Sequence, residues 1–154
     1  MKIWLITHSE EIKKTTGTGK LVKEALNDEC ERIIWSRTEP NKEILQLAPN
    51  NTVLVYPYQE GGLEIQGVSS SVIENILILD GTWQQARKMY NQSPYLKQFC
   101  HYEIQGLRSV YAKRRNQKET GLCTAEVAIQ ILKEKRHLKL TALQKKFSVF
   151  NQSP

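Results

Sequence analysis

"NILILDGTWQQARKMYNQ", residues 75–92, decides how this chain folds. Ile76, Leu77, Ile78 and Leu79 form a continuous apolar run without polar alternation, the pattern of a strand buried on both faces. The run stops at Asp80 and Gly81. From Thr82 the period changes: Trp83, Ala86 and Tyr90 share one helical face, while Arg87 and Lys88 fall on others. A doubly buried strand that feeds directly into a helix is the building unit of an α/β protein with a parallel sheet.

The same alternation extends in both directions. Strands are expected in "KIWLITH" (2–8), "RIIWS" (32–36), "TVLVYP" (52–57), "HYEIQ" (101–105) and "SVYAK" (109–113). Helices are expected in "TGKLVKEALN" (18–27), in "NKEILQLA" (41–48) and from Thr124, where Ala125, Ala128, Ile129 and Leu132 follow helical spacing. A last helix, about 139–152, carries Leu140, Leu143, Phe147 and Phe150 on one stripe and is expected to pack on the sheet. No repeat, low-complexity tract or linker divides the chain, so residues 1–154 read as one domain.

Composition narrows the function classes. With 40% hydrophobic and 25% charged residues, the 154 residues suit a folded globular domain rather than a disordered one. Lys and Arg number 22 against 16 Asp and Glu, a net charge of +6 that favours polyanionic partners. Cys30, Cys100 and Cys123 are far apart and in no zinc-binding spacing, so reduced thiols and no metal are expected. No apolar run reaches the length of a membrane span or a secretory signal, and the expected compartment is the cytoplasm.

In an open parallel sheet, ligands collect beyond the carboxyl ends of the strands, where helix N-termini expose unpaired N–H groups. "THSEEIKKTTGTGK", "YPYQEGG", "DGTW" and "RRNQKETGLCTAE" are the loops so placed. "TTGTGK" is not a nucleoside-triphosphate loop, because Lys20 is followed by Leu21 and no Gly stands five places before Gly19. It fails the dinucleotide fingerprint too, and what survives is a Thr-rich helix start able to hold an anion. Asp80 alone reads as a helix cap; Thr82 can take that cap, leaving Asp80 for chemistry, and Gly81 between them suits a tight bend or a close approach to a ligand. Trp83 has a core reading through its helical face and a pocket reading through its place in the first turn. Of His8, His101 and His137, only His8 ends a strand on the ligand side, and structural roles are expected for the other two.

"LDGTWQQARKM" resembles the signature of the DTW-domain family, whose D-x-T-W core stands here as Asp80, Gly81, Thr82 and Trp83. The order of other elements agrees: His8 and Glu10, then Thr16, Thr18, Gly19, Lys20 and Leu21, then Tyr56-Pro57, then Ser109, Tyr111 and Arg114, then "GLCTAE" (121–126). "HSEE" and "TGTG" depart from the family's usual H-P-x-E and T-N-T-G, and the N-terminal cysteine cluster of many bacterial members is not in this sequence.

The resemblance implies an enzyme that moves the 3-amino-3-carboxypropyl group of S-adenosylmethionine to ring nitrogen 3 of a tRNA uridine, releasing methylthioadenosine. It implies a SPOUT-like α/β fold with a mainly parallel sheet and a trefoil knot in its C-terminal part. Asp80 would be the general base that removes the nitrogen-3 proton. Trp83 would face the sulfonium by a cation–π contact, Thr18 the amino-acid carboxylate, and Tyr56, Leu122 and Thr124 the adenosine, with Thr82 beside them in the donor pocket. Lys13, Lys14, Arg87, Lys88, Lys113, Arg114 and Arg115 would contact tRNA phosphates. The rival readings are the same transfer on ribosomal RNA, SAM-dependent RNA methylation, and a non-catalytic RNA-binding module.

Overall fold

The computed structural model describes residues 1–58, 68–113 and 121–153. Five strands, β1 (Lys2–Thr7), β2 (Cys30–Ile34), β3 (Thr52–Val55), β4 (Asn75–Asp80) and β5 (Cys100–Tyr102), form one sheet in the order β2-β1-β4-β3-β5. Every pairing is parallel. The α/β architecture with a parallel sheet is therefore as expected.

The continuous apolar runs have the cause inferred from them. Successive strand side chains point to opposite faces, so Ile3, Leu5, Ile76 and Ile78 enter one core while Trp4, Ile6, Leu77 and Leu79 enter the other. Helices α2 (Gly19–Leu26), α5 (Thr124–Lys135) and α6 (Leu140–Gln152) cover the first face. The second is covered by α3 (Lys42–Leu45), α4 (Trp83–Asn91) and a 3-10 turn at Pro94–Gln98; α1 (Ser9–Ile12) is a single turn after β1. The same parity puts Thr7 and Asp80, paired at the carboxyl ends of β1 and β4, on the α2/α5 face.

Three expectations change. Residues 109–113 are not a strand. Their backbone is held by side chains instead: Glu126 accepts from Val110 N–H at 2.9 Å, and Asn151 brackets Tyr111, accepting from Ala112 N–H (2.8 Å) and donating to the Val110 carbonyl (3.0 Å). Helix α6 meets mainly α2 and α5, the helices that cover the sheet, rather than the sheet itself. Its stripe is real, with Leu143 and Phe147 buried, each worth roughly 1.5–3 kcal/mol of apolar transfer. Finally, β2 and β5 start earlier and end sooner than their apolar runs suggest. Among the described residues no helix is long and apolar enough to cross a membrane.

Candidate active site

Two adjoining cavities open at the carboxyl ends of β1, β3 and β4, and both touch Gly81 and Leu122. One, of about 460 Å³, is apolar and aromatic, with Tyr56, Trp83, Ile78, Leu79 and Val127 among its walls. The other, of about 180 Å³, is polar, with Glu11, Lys14, Thr18, Asp80, Thr82 and Thr124 in its lining. Thr18, Tyr56, Thr82, Trp83, Leu122 and Thr124, drawn from four loops, therefore converge on one two-lobed site.

The polar lobe is organised by Asp80, which is only 2% exposed. Its Oδ1 accepts from the Thr124 hydroxyl at 2.6 Å, its Oδ2 from the Thr7 hydroxyl at 3.0 Å, and Arg32 lies 3.5 Å from Oδ2. A carboxylate offers about four acceptor positions, so these three partners leave one on Oδ1 at the lobe. Gly19 makes this packing feasible: a Cβ there would stand 2.3 Å from Asp80 Oδ2. The cap role belongs to Thr82, as read from the sequence. Its Oγ1 accepts from Gln85 N–H (3.2 Å), and Gln85 Oε1 accepts from Thr82 N–H (2.8 Å), a reciprocal capping box. Gly81 has no positive φ; it is small because Gln85 folds against it, with Oε1 2.8 Å from where a Cβ would sit.

Thr18 does not cap its own helix. Its Oγ1 accepts from Ala125 N–H at 3.0 Å, satisfying an orphan amide in the first turn of α5 from 107 positions away. Cys123 lines the same lobe, but burial first and Glu126 second push its thiol up to about 12, so it carries no thiolate nucleophile at neutral pH. Tyr111 closes the lobe by donating from its hydroxyl to the Thr16 carbonyl while its ring packs on Phe147 and Phe150.

The apolar lobe has an aromatic wall. Tyr56 stacks on Tyr90 with centroids 4.1 Å apart, and on Trp83 at 5.6 Å. Trp83 is 46% exposed, so it is a pocket wall and not core, which settles the two readings of its helical face. Behind the stack, His101 is buried and bonds to Tyr90 Oη at 3.1 Å and to the Pro57 carbonyl at 3.2 Å. A carbonyl can only accept, so Nδ1 carries the proton and Nε2 accepts from Tyr90. Burial lowers the His101 pKa, partly opposed by the Pro57 bond, and favours this neutral form.

The remaining sequence expectations separate. His8 is a helix cap, accepting Glu10 N–H at Nδ1 (3.2 Å), and lines neither lobe. His137 pairs with Glu29 at 2.6 Å, far from the site in the fold. Lys13, Arg87 and Lys88 are exposed. Lys113 lies against the end of α6, donating to Ser153 Oγ (2.9 Å) with its ammonium 4.6 Å from the Phe150 ring centroid. Arg114 and Arg115 lie outside the described residues. Arg32, Thr7, Gln85, Glu11 and the Tyr90–His101 pair were not anticipated. Strand parity could have flagged Thr7, the T-x-x-Q spacing from Thr82 could have flagged Gln85, and i,i+3 spacing the Glu11–Lys14 pair; Arg32 and the Tyr90–His101 pair meet the site through tertiary contacts. Among the described residues no group of three or more His, Cys, Asp or Glu is placed to hold a metal. A family model described as the DTW domain matches residues 1–153 of the chain. No solved structure matches it.

Proposed function

The chain belongs to the DTW-domain family, and on that footing we propose that it transfers the 3-amino-3-carboxypropyl group of S-adenosylmethionine to nitrogen 3 of a uridine in tRNA. The observation that carries the reading is the two-lobed site: an aromatic, apolar cavity joined at Gly81 and Leu122 to a small polar one that contains charges of both signs. That chemistry fits the donor, whose adenosine half is flat and largely apolar and whose methionine half is zwitterionic. Tyr56, Trp83 and Leu122 would hold the adenosine, with the Trp83 indole available to the sulfonium. Thr18, Thr82 and Thr124 line the polar lobe and shape the space for the chain to be transferred.

Bound there, the donor supplies an electrophilic γ-carbon and a neutral thioether leaving group. Uridine nitrogen 3 forms its new bond to that carbon as the carbon–sulfur bond breaks toward sulfur, and the nitrogen-3 proton must go to a base. Asp80 is the proposed acceptor, through the position on Oδ1 that Thr7, Arg32 and Thr124 leave open. Holding that carboxylate in one rotamer is an orientation effect, and orientation is the main contribution a site can make to such a displacement. The target uridine would have to be unpaired or flipped for nitrogen 3 to reach the lobe. The exposed cations Lys13, Arg87 and Lys88, with Arg114 and Arg115, are proposed to meet tRNA phosphates. A SPOUT-type arrangement with a C-terminal trefoil knot belongs to the same reading. The all-parallel sheet, and the crossover that carries the chain from β4 past β3 to β5, support it.

The test is incubation with tRNA and S-adenosylmethionine labelled separately in the methyl and carboxyl carbons. Label entering RNA from the carboxyl carbon alone is the expected result. Methyl label in RNA would mean methylation, acceptance of ribosomal RNA in place of tRNA would move the substrate, and no label with RNA still bound would mean a binding module.

A further inference from the structure

Among the described residues four charged side chains line the polar lobe, and two of them are already committed. Asp80 is held by Thr7, Thr124 and Arg32. Lys113 is held by Ser153 and the Phe150 ring. The other two are Glu11, at the end of the α1 turn, and Lys14 just beyond it. Their charged atoms, Lys14 Nζ and Glu11 Oε2, lie 3.2 Å apart, with Glu11 largely buried and Lys14 more than a third exposed. The contact lacks hydrogen-bond geometry, so Glu11 Oε2 is buried with no hydrogen bond. A buried carboxylate oxygen in that condition is costly unless a donor reaches it.

We propose that Glu11 and Lys14 together recognise the α-amino-acid end of the donor, Glu11 taking the α-ammonium and Lys14 the α-carboxylate. A zwitterion presents an ammonium and a carboxylate on one carbon, and a carboxylate and an ammonium 3.2 Å apart are its complement. Inserting it replaces one poorly aligned ion contact with two charge-assisted hydrogen bonds. The assignment also moves two sequence expectations. The Thr18 hydroxyl accepts from the Ala125 amide and so serves α5, and the carboxylate passes to Lys14. Lys14 leaves the RNA rim for the donor site. Glu11 and Lys14 are positioning residues that set where the γ-carbon stands relative to Asp80. The inference rests on the donor reading above.

Its test uses three ligands that share the adenosine and the methylated sulfur, methylthioadenosine lacking the sulfonium charge as well as the amino-acid end. S-adenosylmethionine has both charged groups, its decarboxylated form keeps the ammonium, and methylthioadenosine has neither. Binding is measured by calorimetry on the full chain, with no RNA or turnover required. Glu11→Gln is expected to weaken S-adenosylmethionine and its decarboxylated form by roughly tenfold or more, the size of one lost charge-assisted hydrogen bond, and to leave methylthioadenosine within about twofold of wild type. Lys14→Met should weaken S-adenosylmethionine and spare the decarboxylated form. Unchanged S-adenosylmethionine binding by Glu11→Gln, with wild-type protein binding all three ligands, overturns the inference and leaves the donor reading standing. Equal weakening of methylthioadenosine overturns it as well, because the change then acts on the pocket as a whole. Wild-type protein that binds none of the three removes the donor reading and this inference together.

Discussion

Replacing Asp80 by Ala should be among the most destabilising single changes in this protein, whatever it does to activity. The carboxylate is 2% exposed and serves three partners on three elements: Thr7 on β1, Arg32 on β2 and Thr124 on α5. Truncation leaves two buried hydroxyls without their acceptor and a mostly buried guanidinium, whose Nε already has no hydrogen bond, without its counter-charge. Removing one member of such a buried charged pair costs about 3–5 kcal/mol. For a chain of 154 residues each kcal/mol moves the melting midpoint by roughly 2–4 °C, so the expected drop is roughly 6–20 °C. Asp80→Asn keeps the shape and one acceptor oxygen and should cost about 2 kcal/mol. Adding Arg32→Met to Asp80→Ala should recover part of the loss, since it removes the orphaned cation. Scanning calorimetry, with circular dichroism to confirm a cooperative transition, reads all three variants. An Asp80→Ala midpoint within about 2 °C of wild type would refute the reasoning, because three partners deprived of a buried charge cannot cost less than about 1 kcal/mol.

Other consequences are open to direct measurement. Trp83→Ala should cost about 1–2 kcal/mol of stability, because the half-buried indole stacks on Tyr56, while methylthioadenosine binding weakens roughly three- to tenfold through the lost aromatic wall; equal binding by the variant would remove Trp83 from the site. Gly19→Ala should cost about 1–3 kcal/mol by forcing a Cβ to 2.3 Å from Asp80 Oδ2, and urea denaturation with an unchanged midpoint would show that the α2 start has room to move. His101 is neutral in the fold because burial lowers its pKa below the ordinary 6.5. Its contribution is therefore complete above pH 6.5 and is lost as pH falls through the lowered folded value, because the unfolded chain takes up the proton first. Melting midpoints across that window should fall in wild type and flatten in His101→Gln, and an NMR titration placing His101 at or above 6.5 would contradict the assignment. Glu29 behaves likewise at lower pH: hydrogen bonds from His137 and Lys139 depress its pKa, so the stability it adds is present above about 4.5 and lost below it, which Glu29→Gln should abolish.

Much of this molecule is local in origin and legible in the order of its residues. Apolar runs without alternation mean strands buried on both faces, and β1, β3 and β4 are such strands. The D-x-T-W bend was legible for the same kind of reason, since a strand end, a Thr cap and a first-turn Trp are all short-range features. Residues 109–113 misled because their β-type composition reports a preference for extended backbone, and extended backbone becomes a strand only when a neighbouring strand takes its hydrogen bonds. Here Glu126 and Asn151 take them.

Periodicity and capping act over a few residues, so the buried strands, their parallel sense, the two covered faces and the loops beyond the strand ends could be read from the chain, while the strand order came with the packing. Apart from the Thr82 cap, what each site residue does once there follows from packing between distant elements. Thr18 serves a helix 107 positions away, Asp80 is shared among β1, β2 and α5, and Lys113 is turned back onto α6. A hydrogen bond or an ion pair depends on separations of about 3 Å in space, and residues so paired can stand anywhere along the chain, which is why Arg32 gave no sign of itself until the strands were packed.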